Sequence, residues 1–187
     1  MEPTLIIYHN LNLMTEGRSS ELLANPTLGY LPSNIRNGWA GIPSYRPPLQ
    51  ARLMMFLFRR TLLLSERTTG TMQRGGVPLM LGTDTFGFPF CVPGKSAHDE
   101  LHLLVESGLT PYQALQTATV NPARFLGKEN EFGSITVGKR ADLVLVDANP
   151  LQDLNRLEHP VGVMVRGRWL TAETLAQMLT QLSQPSQ

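Results

Sequence analysis

The chain has 187 residues, 42% of them hydrophobic, a formal net charge of +1 and a single cysteine, Cys91. That length and apolar content suit one globular domain, alone or with a small appendage. The low net charge gives no electrostatic case for binding nucleic acid or an anionic membrane. One cysteine rules out an internal disulfide and fits a reducing compartment.

The longest apolar run, residues 53–58, is far shorter than the roughly 20 residues of a membrane span, and the N-terminus has no basic signal segment. The expected location is therefore the cytoplasm.

Residues 1–81 predict two strands separated by helical and irregular segments. The apolar run TLIIY, at 4–8, contains β-branched residues and predicts a strand buried on both faces. The Pro-, Gly- and Asn-rich stretch 25–48 is too long for a simple connection and predicts a functional or mobile excursion. A long helix is predicted from Leu49 into the seventies, ended by a glycine pair. The run VPLML, at 77–81, then predicts a second buried strand.

Three helices are predicted in the next fifty residues. Ser96 is suitably placed to cap the first of them, which Gly108 ends. Residues 110–113, TPYQ, form a capping box with proline at the first helical position. The pair Asn121-Pro122 begins the third helix. Strands that alternate with helices in this way imply a parallel sheet, so the predicted fold class is α/β.

The sequence changes character after about residue 130. The segments FGSITV (132–137) and ADLVLV (141–146) predict two strands joined by a tight turn. VGVMVR (161–166) and RWL (168–170) predict a second pair, so this region is expected to form a small β unit. A final amphipathic helix is predicted from about Thr171, with apolar residues at helical spacing.

Asp84 stands directly after the second predicted strand, in the sequence Gly82-Thr83-Asp84. In parallel α/β proteins, functional sites form at the carboxyl ends of the strands. A carboxylate there can bind a metal ion or act as a general base on water. The alternative is an aspartate that only accepts hydrogen bonds from nearby backbone N–H groups in a turn. Position alone leaves both interpretations open.

Four motifs in this order, GGVPLMLGTDT, VPGKSAHDELHLLVESGLTPYQALQTATVNPARFLG, GSITVGKRADLVLVDANPL and VMVRGRWL, resemble the C-terminal part of the amidohydrolase superfamily. The nearest subgroup is that of its imidazolonepropionase-like and dipeptidase-like members. The resemblance covers roughly residues 3–170 and implies a (β/α)8 TIM barrel beside a small β-sandwich, with TLIIY and VPLML as the seventh and eighth strands. The chain would then contain the last two strand–helix units of the barrel (1–130), part of the sandwich (131–170), and a C-terminal helix and tail (171–187).

The resemblance implies that Asp84 is a metal ligand and also exchanges a proton with the hydrolytic water. The cofactor would be a divalent metal, with zinc as the expected ion. A bound metal lowers the pKa of water from about 15.7 toward about 7 and so supplies hydroxide at neutral pH. The reaction would be hydrolysis of a carbon–nitrogen bond in a small amide, cyclic amide or dipeptide-like substrate.

The other metal ligands of the superfamily are not found in this sequence. The resemblance implies an HxH pair after the first strand, often a carboxylated lysine after the fourth, and histidines after the fifth and sixth, but no HxH occurs. His98 and His102 lie four residues apart on a predicted helix where the superfamily has no ligands, so exposed helix histidines are favoured over a metal site. A barrel takes about 250 residues, so strands one to six are expected to lie outside this chain.

Several other candidate site residues carry weaker signals. Ser96 and His98 begin a helix whose N–H groups can hold a substrate carboxylate, with plain N-capping as the favoured alternative. Tyr8 and His9 end the predicted seventh strand and either line the pocket or belong to a loop. Cys91 lies in the loop FGFPFCVPG and is interpreted as a wall of the substrate pocket. It is not interpreted as a nucleophile, because no partner base or cation is evident.

Asp142 and Asp147 flank a predicted strand, and we interpret both as structural. The sequence thus predicts the C-terminal portion of a metal-dependent hydrolase that is inactive as an isolated chain. The alternatives are a non-catalytic remnant that acts as an interaction module, including a homo-oligomer formed through open strand edges, and one half of a split enzyme. No nucleic-acid or membrane partner is expected.

Overall fold

A computed structural model describes residues 1–42, 49–85 and 87–182. The α-helices in these ranges are, in chain order, α1 Leu5–Thr15, α2 Ser19–Leu23, α3 Ser33–Gly41, α4 Leu49–Arg74, α5 Lys95–Glu106, α6 Pro111–Thr117, α7 Val120–Phe125 and α8 Ala172–Leu182. Short 3-10 helices span Pro26–Tyr30 and Leu154–Glu158, and the strands are β1 Leu143–Leu145, β2 Gly162–Val165 and β3 Arg168–Thr171. None of the helices in these ranges has the length and apolar character that crossing a membrane requires.

The three strands form an antiparallel sheet in the order β1-β2-β3. The β2–β3 hairpin confirms the second predicted strand pair. Its turn residues Arg166 and Gly167 both have positive φ, as the type I′ turn of a two-residue hairpin requires. The predicted strand at 132–137 is wrong. Ile135 and Val137 are 88% and 103% exposed, and no strand in the described ranges pairs with this segment.

The predicted strand TLIIY is also wrong, since Leu5 begins helix α1. The first N–H groups of a helix have no partner inside it. Here the carboxylate of Glu100 accepts hydrogen bonds from the N–H groups of Leu5 (3.0 Å) and Ile6 (2.7 Å). A short apolar run does not distinguish a buried strand from a buried helix, and this distant partner favours the helix.

The predicted strand VPLML is extended but belongs to no sheet in the described structure. The N-terminal ammonium group of Met1 donates to Pro78 O (2.9 Å), and the N–H of Met80 donates to Met1 O (2.8 Å). These bonds lie on either side of Leu79 in the pattern of parallel neighbours. Both bonds are made by Met1 alone. Within the described residues, the parallel pairing of this extended segment with its N-terminal neighbour is therefore limited to one residue. The described sheet is antiparallel throughout.

The core surrounds this extended segment and the helices that flank it. Leu5, Leu79 and Leu104 have no solvent exposure, and they pack with other apolar residues of α1, α5 and α6. A second cluster brings Phe90 against Leu28 and Leu31, with the Trp39 ring 5.5 Å from that of Phe90. Residues 25–42 of the predicted excursion therefore fold onto the loop before α5, and 43–48 lie outside the described residues.

Other local signals in the sequence predicted helix boundaries well. The long helix α4 ends at Arg74, just before the predicted glycine pair. The capping box is confirmed, since Thr110 and Gln113 exchange side chain to backbone hydrogen bonds at the start of α6.

The prediction that Ser96 caps α5 is wrong. The cap position belongs to Gly94, whose φ of +79° is a conformation that favours glycine.

Candidate functional site

Asp84 lies at the end of the buried extended segment, and its side chain is exposed. Its backbone has a φ of +45°, in the left-handed region that aspartate tolerates better than most residues. The Asp84 carbonyl accepts a hydrogen bond from Gly87 N (2.9 Å). The hydroxyl groups of Thr83 and Thr85, one on each side, are 2.6 Å apart. Asp84 is thus held in place by hydrogen bonds of its own backbone and of its two neighbours, and its carboxylate is exposed.

The Asp84 carboxylate lines a groove of about 530 Å³. One wall is the turn that carries Asp84, and the other is helix α1 with the residues that precede it. The groove is lined by Glu2, Pro3, Thr4, Ile7, Tyr8, Leu11, Asp84 and Phe88. The lining therefore combines two carboxylates and a phenol with several apolar side chains.

Glycine makes two of the close approaches in this groove possible. A Cβ atom at Gly82 would overlap the Glu2 side chain, so Glu2 lies directly over this glycine. A Cβ atom at Gly87 would come within 2.8 Å of Asp84 Oδ1. Both carboxylates consequently occupy space that only glycine leaves open.

The described residues do not supply a complete metal site. Within the described ranges, no three His, Cys, Asp or Glu side chains are grouped so that they could hold a metal ion. Glu2 and Asp84 offer two carboxylates to one groove, which is fewer than the four ligands of a typical structural zinc site. The chemistry that these residues can supply themselves is acceptance and donation of a proton by Asp84 and hydrogen bonding by Tyr8.

Two of the predicted site residues come together in the groove, and two lie elsewhere. Tyr8 is on α1 rather than at a strand end, and it lines the groove with Asp84. Ser96 is the second residue of α5, only 1% exposed, and its Oγ has no partner among the described residues. His98 is half-buried on α5, where burial lowers its pKa. Neither Ser96 nor His98 lines the Asp84 groove.

The remaining candidates are also placed by the structure. His9 and His102 are partly buried and line a separate groove of about 480 Å³ beside α1, so the expectation of exposed histidines on α5 is wrong for both His98 and His102. Cys91 is fully buried in the main core, against the expectation of a pocket wall. Its Sγ accepts a hydrogen bond from Asn10 (3.8 Å), and burial raises the pKa of the thiol to about 11.

Asp142 has structural contacts of the kind expected for it. Its carboxylate accepts a hydrogen bond from Arg166 N (2.7 Å) and is ion-paired with Arg140. The backbone hydrogen bond, together with Arg140, lowers the pKa of Asp142. Asp147 is exposed and lies 3.5 Å from Arg156.

Two glutamates were not predicted as site residues: Glu2, which lines the groove, and Glu100, which binds the start of the α1 wall. Glu2 gave no signal because it precedes any recognisable element. The position of Glu100 in the sequence did carry a signal. It lies four residues after Ser96 and four before Leu104 on a predicted helix, so it occupies the apolar face. A charged residue on that face needs partners when it is buried, and that requirement indicates a specific role.

The mixed α/β fold, with a carboxylate at the end of a buried segment and a small antiparallel sheet, has the features of an amidohydrolase. The family model described as the amidohydrolase family matches residues 66–170, which is more than half of the chain. The chain therefore belongs to the amidohydrolase family, and the resemblance noted in its motifs is confirmed.

Individual relatives agree with this assignment. An imidazolonepropionase from Geobacillus sp. (strain WCH70) is 40% identical over 77 residues, covering 38% of this chain and 17% of that protein. A 5-methylthioadenosine/S-adenosylhomocysteine deaminase from Symbiobacterium thermophilum is 36% identical over 103 residues, covering 46% of this chain and 22% of that protein. The solved structure of a bottromycin amidohydrolase has a TM-score of 0.72 at 24% identity, covering 98% of this chain and 40% of that one. This last likeness concerns the fold, and the chain matches 17% and 22% of the length of the two curated relatives.

Proposed function

We propose that this chain is the C-terminal portion of a metal-dependent amidohydrolase that cleaves carbon–nitrogen bonds, with Asp84 as its acid–base carboxylate. The observation that carries the proposal is the position of Asp84. It lies within the matched family region, at the end of a buried segment, exposed on a groove that can take a small molecule. The names of the two curated relatives, an imidazolonepropionase and a deaminase, fit this class of reaction.

Asp84 would act on the protons of the reaction. Its carboxylate takes a proton from the attacking water and returns it to the leaving nitrogen. The return step matters because nitrogen leaves poorly as an anion. The exposed position of the side chain, with Gly87 leaving space beside it, lets one group serve both transfers.

Asp84 would also be a single ligand of a divalent metal, expected to be zinc. Since the described residues do not complete a metal site, the other ligands would come from polypeptide outside them. For the same reason the isolated chain is proposed to be inactive. In the complete enzyme, residues 1–130 would belong to the barrel, 131–170 to the small sandwich and 171–187 to a C-terminal extension.

The groove lining supports a small amide, cyclic amide or dipeptide-like substrate. Ile7, Leu11 and Phe88 offer apolar contacts, and the hydroxyl of Tyr8 can donate to a substrate oxygen. Of the substrate-binding residues predicted from the sequence, only Tyr8 lines this groove.

A first experiment measures metal in the purified chain after incubation with excess Zn²⁺ and gel filtration. The expected result is far less than one zinc per chain. One tightly bound equivalent, lost in Asp84→Asn, would show that this chain completes a site alone and would contradict the proposal.

A second experiment tests catalysis. The transcript that encodes this chain is expected to contain an upstream, in-frame barrel segment with an HxH motif. In the protein made from it, Asp84→Asn should lower kcat by about 100-fold or more, whereas Asp147→Asn, at an exposed residue that does not line the groove, should not. Equal effects of the two substitutions would argue against the assigned role.

One observation favours a second candidate function, an interaction module without catalysis. Ile135 and Val137 are almost fully exposed, and β1 is an edge strand of the small sheet. Exposed apolar edges promote association between chains. If no upstream barrel segment exists and the purified chain forms a defined oligomer, this candidate replaces the first.

A further inference from the structure

Glu100 is a fully buried carboxylate that holds the start of another helix. It lies on α5 and has no solvent exposure. One carboxylate oxygen accepts a hydrogen bond from Leu5 N (3.0 Å) and the other accepts one from Ile6 N (2.7 Å). These are the first two residues of α1, so a side chain 94 positions away satisfies its leading N–H groups.

Two features favour this contact: the charge of the Glu100 carboxylate is opposite to the partial charge of the helix N-terminus, and its two oxygens each accept one hydrogen bond. The N-terminus of a helix carries a partial positive charge, and a carboxylate placed there is stabilised. Hydrogen bonds to an ionised acceptor are roughly twice as strong as neutral ones. Burying a carboxylate is costly, and the two hydrogen bonds offset part of that cost. They join the side chain of α5 to the first turn of α1 and so fix how the two helices meet.

The helix that Glu100 holds is also one wall of the Asp84 groove. Thr4, just before the two bonded residues, has a φ of +52° and turns the chain into α1. Thr4, Ile7 and Tyr8 all line the groove across from Asp84. Any shift of the first turn of α1 therefore moves the residues that face the carboxylate.

We propose that Glu100 is a positioning residue of the Asp84 groove, which sets the distance between the α1 wall and Asp84 by binding the first two N–H groups of α1. The inference rests on the proposed function only in treating the groove as the hydrolytic site. Glu100 does not line the groove and contacts no reacting group. Its contribution is to hold Tyr8 and its neighbours in place.

Ionisation of Glu100 provides a readout of this contact. An ionised carboxylate offers two acceptor oxygens, whereas a protonated one keeps a single carbonyl oxygen and gains a donor. The groups that face it are Glu2, from the segment before α1, and the thiol of Cys91, from the loop before α5. Burial, opposed by the two N–H bonds and reinforced by Glu2, raises the pKa of Glu100 to about 7.

The test is NMR of the ¹⁵N-labelled full chain, without metal or substrate. In the wild type, the amides of Leu5 and Ile6 should be protected from hydrogen exchange, although first-turn amides normally exchange freely. Glu100→Gln keeps the shape but offers one acceptor oxygen, so at least one of these amides should exchange about tenfold faster or more. The resonances of Tyr8 and Asp84 should shift in the same variant. In the wild type alone, the resonances of all four residues should also change between about pH 6 and pH 8, because Glu100 ionises in that range.

The matched control is Glu106→Gln, an exposed glutamate on the same helix, which should leave all four residues unchanged. Unaltered exchange at Leu5 and Ile6 in Glu100→Gln would overturn the contact. Faster exchange with no change at Tyr8 or Asp84 would overturn the positioning role and leave only a structural one. Because no catalysis is measured, either outcome is independent of whether the proposed hydrolysis is correct.

Discussion

Gly87 lies so close to Asp84 that no side chain fits between them. A Cβ atom at Gly87 would come within 2.8 Å of Asp84 Oδ1 and 2.9 Å of its Oδ2, and the Gly87 N–H donates to the Asp84 carbonyl. The same glycine thus holds the turn through its backbone and leaves space for the carboxylate. The orientation of Asp84 depends on a residue that has no chemistry of its own.

Gly87→Ala should therefore displace the Asp84 carboxylate without unfolding the chain. The added methyl group must be relieved by rotation of the Asp84 side chain, which is exposed and free to move. We expect a changed carboxyl carbon resonance for Asp84 and, in a catalytically active longer form, a loss of activity of at least about tenfold. Gly29→Ala, with nothing within 4 Å of the added atom, is the control. Identical Asp84 spectra in the two variants would refute the prediction.

Gly70→Ala should destabilise the fold, although alanine is about 1 kcal/mol better than glycine inside a helix. Gly70 lies in α4, and its added Cβ would overlap the backbone carbonyl of Ser107. Overpacking of this kind costs about 1–3 kcal/mol, so urea unfolding should show a net loss. Gly38→Ala, at an unobstructed glycine of α3, should be neutral or stabilising. A stabilised Gly70→Ala variant would show that α4 and α5 are less tightly packed.

The free energy of unfolding should depend on pH through Glu100. Its pKa is raised from 4.5 to about 7 in the folded chain, so between these values the folded state binds more protons than the unfolded state. Stability from this group is therefore complete below pH 4.5 and is lost as pH rises toward about 7. Between pH 5 and pH 8 we expect a decrease of roughly 2–3 kcal/mol in the wild type that Glu100→Gln lacks. Parallel pH dependence in urea titrations of both proteins would contradict this.

Loss of the capping box at α6 should lower the free energy of unfolding by the contribution of one N-cap hydrogen bond. Thr110 Oγ1 accepts a hydrogen bond from Gln113 N (3.2 Å), which satisfies one of the free N–H groups of the helix. Thr110→Ala should lower the free energy of unfolding by about 1 kcal/mol, while Thr110→Ser, which keeps the hydroxyl, should change it by only a few tenths. Thermal unfolding of both variants distinguishes the cap from a general effect of substitution.

The sequence predicted the features of the fold that depend on neighbouring residues. The capping box at 110–113, the end of α4 and the β2–β3 hairpin are all encoded within a few positions of where they act. Each combines a residue preference with a local hydrogen bond or dihedral requirement. Such signals do not depend on the rest of the chain, which is why they were reliable.

The failures concern segments whose conformation is decided by distant partners. Residues 5–8 lie in a helix whose first N–H groups are bound by Glu100, a contact that no local pattern reveals. Segment 132–137 has the composition of a strand, but the described ranges contain no neighbour to pair with it. For the site, Asp84 and Tyr8 were predicted and do share a groove. Ser96 and Cys91 were predicted to face the same pocket and instead are buried away from it.

The left-handed backbone at Asp84 limits which amino acids can replace it. A φ of +45° is accessible to glycine, asparagine and aspartate at little cost, and it penalises alanine and, more strongly, β-branched residues. An alanine scan would therefore mix a conformational penalty with the loss of the carboxylate and overstate the importance of the charge. Asparagine removes the charge and keeps the tolerance for this backbone conformation, so it separates the two effects. Substitutions that persist at this position are therefore expected to favour asparagine.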